Sequence, residues 1–93
     1  MRGYTLDKDD YLLRLRKIEG QVRGLQRLIE DDTYCIDILT QIASVNSALH
    51  KVALGLVEQH LRHCVMDAMA TDPAVGQQRL TDATLAVQRL LQL

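Results

Sequence analysis

The fold is decided by one stretch, residues 34–70, which reads YCIDILTQIASVNSALHKVALGLVEQHLRHCVMDAMA. It contains no proline, no pair of glycines and no cluster of loop-forming residues. Its apolar residues recur every three or four positions, which is the period of one face of an α-helix. The pattern predicts one helix from Tyr34 to about Ala70, roughly 55 Å long at 1.5 Å per residue. Two shorter neighbours from the same chain cannot cover so long a helix, so we expect it to pack against a partner chain.

Two shorter helices flank this stretch. Regularly spaced apolar residues predict a first helix from about Lys8 to Glu30. The helical pattern then breaks, and we expect Asp32 or Thr33 to cap the second helix. The motif Thr71-Asp72-Pro73 places a capping residue before a proline, which is typical of a helix start, and predicts a third helix up to about Leu91.

The composition is that of a small globular protein. Hydrophobic residues make up 47% and charged residues 25% of the 93 residues, which argues against a disordered chain. Phe and Trp are absent, so the core must be aliphatic, and a core this small favours oligomerisation. No apolar run approaches the roughly 20 residues of a membrane span. We expect one all-α domain of three helices over residues 1–93, located in the cytoplasm, with its two cysteines outside a structural disulfide.

The charges are unevenly distributed along the chain. The net charge is −1, yet residues 1–30 hold seven basic and five acidic residues, a local balance of +2. The rest of the chain holds four basic and seven acidic residues, a balance of −3. The first helix can therefore present a positive surface to nucleic acid, although such charges also commonly serve only to solvate an exposed helix face.

Three side chains of the long helix can carry chemistry: Cys35, His60 and Cys64. His60 and Cys64 are four residues apart on one face and could bind one metal ion, although such a pair is also common as buried filler. Cys35 precedes His60 by 25 residues, roughly 37 Å of straight helix, so it cannot join the pair within one chain. Two helices packed antiparallel about a twofold axis would bring Cys35 of one copy to the pair of the other. Two thiolates and an imidazole suit three-coordinate Cu(I), whereas Zn(II) usually takes a fourth ligand.

Three segments of the chain resemble the CsoR/RcnR family of bacterial metal-sensing repressors. They are residues 14–24 (RLRKIEGQVRG), 34–42 (YCIDILTQI) and 60–64 (HLRHC), and the resemblance extends over about residues 7–91. The resemblance implies an antiparallel four-helix-bundle dimer, usually assembled as a dimer of dimers. It also implies a repressor that binds operator DNA without metal and releases it when Cu(I) binds.

The resemblance assigns the metal site to individual residues. It implies that Cys35 of one subunit binds the metal together with His60 and Cys64 of the other. Beside these ligands it places Tyr34 and an acidic residue of the third helix, which falls on Asp82. A carboxylate at that position would fix the unliganded nitrogen of His60.

The resemblance also assigns a DNA surface that involves no helix-turn-helix. By position, Arg14 and Lys51 match the DNA-contacting residues of the family. Further basic residues of the first helix can add to this surface: Arg16, Lys17, Arg23 and Arg27. Contacts of this kind mostly neutralise phosphates and position the protein, while DNA shape carries part of the sequence information.

Several alternatives stay open at this point. The nickel and cobalt branch of the family has a His in place of the second Cys, which here is Cys64. A formaldehyde sensor does not need that second Cys, and a persulfide sensor lacks the His ligand, so the presence of His60 and Cys64 together favours copper over both. A cytosolic copper buffer or chaperone would not need the basic first helix. The sequence has no Gly-rich phosphate loop and no nucleophile with an obvious base, so we expect no enzyme and no catalytic residue.

Overall fold

The structure is a computed structural model that describes residues 7–92. Its helical elements are α1 (Lys8–Glu30), α2 (Cys35–Gln59), a π-helical segment (His60–Met66), α3 (Asp67–Thr71) and α4 (Pro73–Leu91). No strand occurs within residues 7–92, and the predicted all-α class is confirmed. None of the helices described there is both long and apolar enough to cross a membrane.

The long second helix runs from Cys35 to Thr71 without a break, close to its predicted extent. It is not α-helical throughout, because the seven residues of the π segment follow the wider pattern in which an N–H donates to the carbonyl five residues back. The prediction of a uniform α-helix is therefore wrong over His60–Met66. Apolar residues that recur every three or four positions are compatible with one wide turn as well as with an α-helical turn, so the sequence pattern does not distinguish the two.

The turn that ends α1 is a Schellman motif. The N–H of Thr33 donates to the carbonyl of Leu28 at 3.0 Å, and the N–H of Asp32 donates to the carbonyl of Ile29 at 3.2 Å. Asp32 has a φ of 54°, in the left-handed region that the motif requires at this position. Asp tolerates this conformation better than most residues because its short polar side chain can form local hydrogen bonds.

The start of α2 differs from the prediction. The helix begins at Cys35, and two N–H groups of its first turn donate to the carbonyl of Tyr34 at 3.0 and 3.3 Å. Tyr34 therefore occupies the N-cap position. The predicted cap at Asp32 or Thr33 is wrong because both residues belong to the turn that closes α1.

Contacts within the chain define two compact units, of which the first is Lys8–Ala53. It is a helical hairpin, since two helices joined by so short a loop run antiparallel. Its buried core consists of Ile18 on α1 and of Val45 and Val52 on α2. Three half-buried side chains pack against this core: Tyr11, Leu25 and Ala48.

The second unit contains residues 54–92 together with Asp7. Within it, the π segment, α3 and α4 pack against one another. The predicted start of α4 is confirmed, because Asp72 is the N-cap and its carboxylate accepts from the N–H of Ala74 at 3.2 Å. The buried residues of this unit are Val65 in the π segment and Gly76 and Ala83 on α4.

The apolar faces are only partly covered within one chain. Among the described residues, five hydrophobic side chains are buried, whereas nineteen large ones are at least about a third exposed. Three of these follow one another at seven-residue spacing on α2, namely Ile42 (38% exposed), Leu49 (42%) and Leu56 (38%). Single exposed hydrophobic residues are normal, but a continuous stripe along one helix face is typical of a surface that a partner covers.

We expect Gly76→Ala to destabilise the protein. A Cβ at this position would lie 2.6 Å from Cγ and 2.8 Å from Cα of Met69, so α3 and α4 would have to move apart. The free energy of unfolding, measured by urea denaturation, should fall by about 1–3 kcal/mol. Gly20→Ala is the matched control, because nothing lies within 4 Å of its Cβ position and Ala is the better helix former by about 1 kcal/mol. Equal losses in the two variants would contradict the close approach at Gly76.

Candidate metal centre

The π segment carries two of the three predicted metal ligands, His60 and Cys64. A π-helical turn holds more than four residues, so these two side chains lie just under one turn apart on the same side of the segment. Both residues are half-buried, and the Cys64 thiol is not part of a disulfide. The structure therefore brings an imidazole and a thiol together within one wide helical turn.

The His60 ring is held by a hydrogen bond to the main chain of α4. Its Nε2 lies 2.9 Å from the carbonyl oxygen of Arg79. A carbonyl can only accept, so Nε2 must carry the hydrogen and donate it. In the neutral imidazole, the lone pair that could bind a metal then resides on Nδ1.

Cys35 lies elsewhere in the chain. It is the first residue of α2, it is exposed and it takes part in no disulfide. Within residues 7–92 of a single chain, no three His, Cys, Asp or Glu side chains form a group that could hold a metal ion. One chain thus supplies the pair of His60 and Cys64 but not a three-ligand site.

The two residues predicted to support the ligands have other surroundings within the chain. Tyr34 is 67% exposed at the start of α2. The Asp82 carboxylate accepts from Nε2 of Gln78 at 3.0 Å and lies 4.0 Å from the guanidinium of Arg79. The roles of Tyr34 and Asp82 at a metal site therefore stay predictions.

Two contacts near the ligands were missed by the sequence reasoning. One is the Arg79 carbonyl, which belongs to the main chain, so no residue type could signal its role. The other is the carboxylate of Asp7, which accepts from Nε2 of Gln59 at 2.8 Å, directly before His60. Thr5 and Asp7 are both residue types that can cap the start of α1, and Thr5 lies outside the described residues.

The basic residues of α1 fall on two sides of the helix. At about 100° per residue, Arg14 lies one turn from the buried Ile18 and so flanks the face that packs on α2. Arg16 and Arg23 lie on the opposite side. Lys17 lies near the side of Arg14, and Arg27 lies on the same side as Arg16 and Arg23. Lys51 lies on α2, next in sequence to the buried Val52.

Two of these arginines are paired with acids of their own helix. Nε of Arg14 lies 3.0 Å from the carboxylate of Asp10, and Nη2 of Arg23 lies 2.9 Å from that of Glu19. All four side chains are at least half exposed, so each pair contributes only about 0.3–0.5 kcal/mol. Such weak pairs can open when a phosphate competes for the arginine.

Comparisons with known proteins agree with the helical architecture. A family described as metal-sensitive transcriptional repressor matches residues 7–89. The copper-sensing transcriptional repressor RicR of Mycobacterium tuberculosis is 53% identical over 89 residues, covering 96% of this chain and 93% of RicR. The copper-sensing transcriptional repressor CsoR of Bacillus subtilis is 47% identical over 76 residues, covering 82% of this chain and 73% of that repressor.

A solved structure is also similar. The crystal structure of the copper-sensing repressor CsoR with Cu(I) from Geobacillus thermodenitrificans superposes with a TM-score of 0.85 at 38% identity. The match covers 94% of this chain and 88% of that one. These findings define a helical regulator of transcription, and the prediction that the protein is not an enzyme is confirmed by them. The chain belongs to the family of metal-sensitive transcriptional repressors.

Proposed function

We propose that this chain is a Cu(I)-responsive repressor that binds operator DNA in the metal-free state and dissociates when Cu(I) binds. The observation that carries the proposal is the pair of His60 and Cys64 within one π-helical turn, with Nδ1 of His60 bearing the free lone pair. The names of the two similar repressors and the Cu(I) in the similar crystal structure support copper as the metal.

The donor set fits Cu(I) best when Cys35 is the third ligand. Thiolates are soft ligands that select Cu(I), and two thiolates with one imidazole satisfy a trigonal ion. A structural Zn(II) site would require a fourth protein ligand. When bound, Cu(I) would supply soft coordination that draws the three side chains together.

Cys35 would come from a second subunit. α2 is continuous over 25 residues from Cys35 to Gln59, which is roughly 37 Å of helix before His60 is reached. An antiparallel pair of these helices would place Cys35 of one chain beside the His60–Cys64 pair of the other and would create two identical sites. The partly exposed stripe of Ile42, Leu49 and Leu56 supports such a dimer, because it offers an apolar seam along α2. Association of two dimers is the further assembly we propose.

The DNA surface we propose centres on Arg14 and Lys51. Both lie within one turn of the buried core of the hairpin Lys8–Ala53, so a rigid element positions them. Lys17 lies near the same side of α1 as Arg14. Arg16 and Arg23, on the opposite side, would contact DNA only where the assembly exposes that side to it.

The first test is the metal specificity of operator release. In a gel-shift titration with the DNA upstream of the gene, Cu(I) should abolish binding, whereas Zn(II) and Ni(II) should leave most of the complex intact. Formaldehyde and a persulfide donor serve as further arms, because a thiol-based sensor on the same scaffold is the main alternative. Release by either of them at low concentration, with no response to Cu(I), would overturn the proposal.

The shared site predicts a particular result for mixed dimers. A chain with Cys35→Ala is paired with a chain with Cys64→Ala, and the heterodimer is isolated with two affinity tags. If the ligands come from both subunits, one site of this heterodimer is intact and the other has lost both cysteines. We therefore expect one tightly bound Cu(I) per heterodimer in a competition titration, and none as tight in either variant homodimer. A heterodimer as weak as the two homodimers would show that each site lies within one chain.

Operator affinity should respond to the ion pair of Arg14. Arg14→Ala and Lys51→Ala should weaken DNA binding and lower the slope of log affinity against log salt by about 0.9 for each lost phosphate contact.

Asp10→Asn removes the competitor for Arg14 and should raise operator affinity by roughly twofold. Glu58→Gln is the matched control, because Glu58 pairs with Arg62 at 3.0 Å with the same spacing but outside the proposed surface. Equal effects of Asp10→Asn and Glu58→Gln would show only a change in net charge.

A further inference from the structure

We infer that the hydrogen bond between Asp7 and Gln59 is a clasp through which metal binding at His60 is passed to α1. This inference rests on the proposed copper function and deepens it. Nε2 of Gln59 donates to the carboxylate of Asp7 at 2.8 Å, across 52 positions of the chain. Gln59 is the last residue of α2 and directly precedes His60, whereas Asp7 directly precedes the first residue of α1. One hydrogen bond thus joins the neighbour of a proposed metal ligand to the start of α1.

The clasp lies where the chain passes between its two compact units. The hairpin Lys8–Ala53 is one unit, and both Asp7 and Gln59 belong to the other. The clasp therefore joins the chain directly before the hairpin begins and within about two helical turns after it ends. A displacement of Gln59 is passed to α1 by one hydrogen bond and one peptide bond. Arg14, on the proposed DNA surface, lies about two turns further along this continuous helix.

The orientation of the Gln59 amide is determined by Asp7. A carboxylate can only accept, so the amide nitrogen must face it and the amide oxygen must point away. That oxygen, Oε1, is buried and has no hydrogen-bond partner among residues 7–92. A hydrogen bond to a charged acceptor is strong, whereas a buried acceptor without a donor is unfavourable by a free energy of comparable size. Closing the clasp therefore combines one favourable and one unfavourable contribution on the same side chain.

A bond that is opposed in this way is suited to act as a switch. When opposing contributions are similar in size, the closed and open states lie close in free energy, and a modest change nearby can shift their populations. The proposed ligands must move together around the metal, which would displace the main chain at His60 next to Gln59. The clasp is thus an element whose equilibrium the metal site can bias, and α1 is covalently attached to its other end.

The variant Asp7→Ala tests this transmission. It removes the acceptor of the clasp but none of the proposed metal ligands, and it leaves Arg14 and Lys51 in place. We expect the metal-free variant to bind operator DNA, and the DNA-free variant to bind Cu(I), about as tightly as the wild type. The ratio of operator dissociation constants with and without Cu(I), measured by fluorescence anisotropy, should be about fivefold smaller than in the wild type.

Asp9→Ala is the matched control. It removes one acid from the first turn of α1 and changes the net charge equally, whereas the carboxylate that accepts from Gln59 is that of Asp7. Its ratio should equal that of the wild type. Equal reductions in the two variants would show an effect of charge alone and would overturn the inference. A metal-free Asp7→Ala protein that no longer binds the operator would also overturn it, because the role of Asp7 would then be structural.

Exchange of the donor and the acceptor tests the hydrogen bond itself. Gln59→Glu places two carboxylates opposite each other and should reduce the ratio as Asp7→Ala does. Asp7→Asn keeps an acceptor oxygen for Gln59 and should retain most of the wild-type ratio. When Asp7→Asn and Gln59→Glu are combined, the amide at position 7 can donate to the carboxylate at position 59, so the ratio should rise again. A combined variant no better than Gln59→Glu alone would contradict the clasp.

The wild-type protein in the same assay separates this inference from the proposed function. If Cu(I) does not release the wild type from the operator, the copper function is wrong and the inference is wrong with it. If Cu(I) releases the wild type, and releases Asp7→Ala and Gln59→Glu just as fully, the copper function stands and the transmission through the clasp is wrong.

Discussion

Burial of one apolar helix face is the constraint on which the rest of this structure depends. The helix from Cys35 to Thr71 is longer than the chain's own neighbouring helices can cover, and its heptad-spaced residues stay partly exposed in a single chain. The second copy that we propose would cover this stripe, because two identical stripes can pack against each other about a twofold axis. The same helix carries Cys35 at its start and His60 just beyond the end of α2. Because the length of α2 separates these two residues, one chain cannot complete the proposed metal site.

Helix boundaries were predictable where a residue type is suited to only one position at the end of a helix. α1 runs from Lys8 to Glu30 as predicted, and α4 begins at Pro73 as the Asp72-Pro73 pair indicated. The cap of α2 was not predictable in this way, because Asp32 is suited both to capping a helix and to the left-handed position that ends one. The structure uses it for the second purpose.

The chemistry of the site was more accessible to sequence reasoning than its geometry. Two cysteines and a histidine at these spacings indicate a soft metal, and the family to which the chain belongs is described as metal-sensitive. The wide turn at His60–Met66 has no comparable signature, since His, Leu, Arg, Cys, Val and Met occur in α-helices as well. The Arg79 carbonyl could not have been found either, because every residue offers the same main-chain acceptor and only the fold selects one of them.

The π segment has a consequence for how this chain could change over evolutionary time. A turn closed between residues five apart uses one residue more than an α-helical turn, so the segment acts as a single-residue insertion already accommodated by the helix. Deleting one residue between His60 and Cys64 would let an ordinary α-helix run on into α3 with its buried side still facing α4. The fold could survive such a deletion, while the histidine and the cysteine would be left three residues apart. If His60 and Cys64 bind the metal as proposed, a change in chain length alone would therefore alter the spacing of the two donors without replacing either of them.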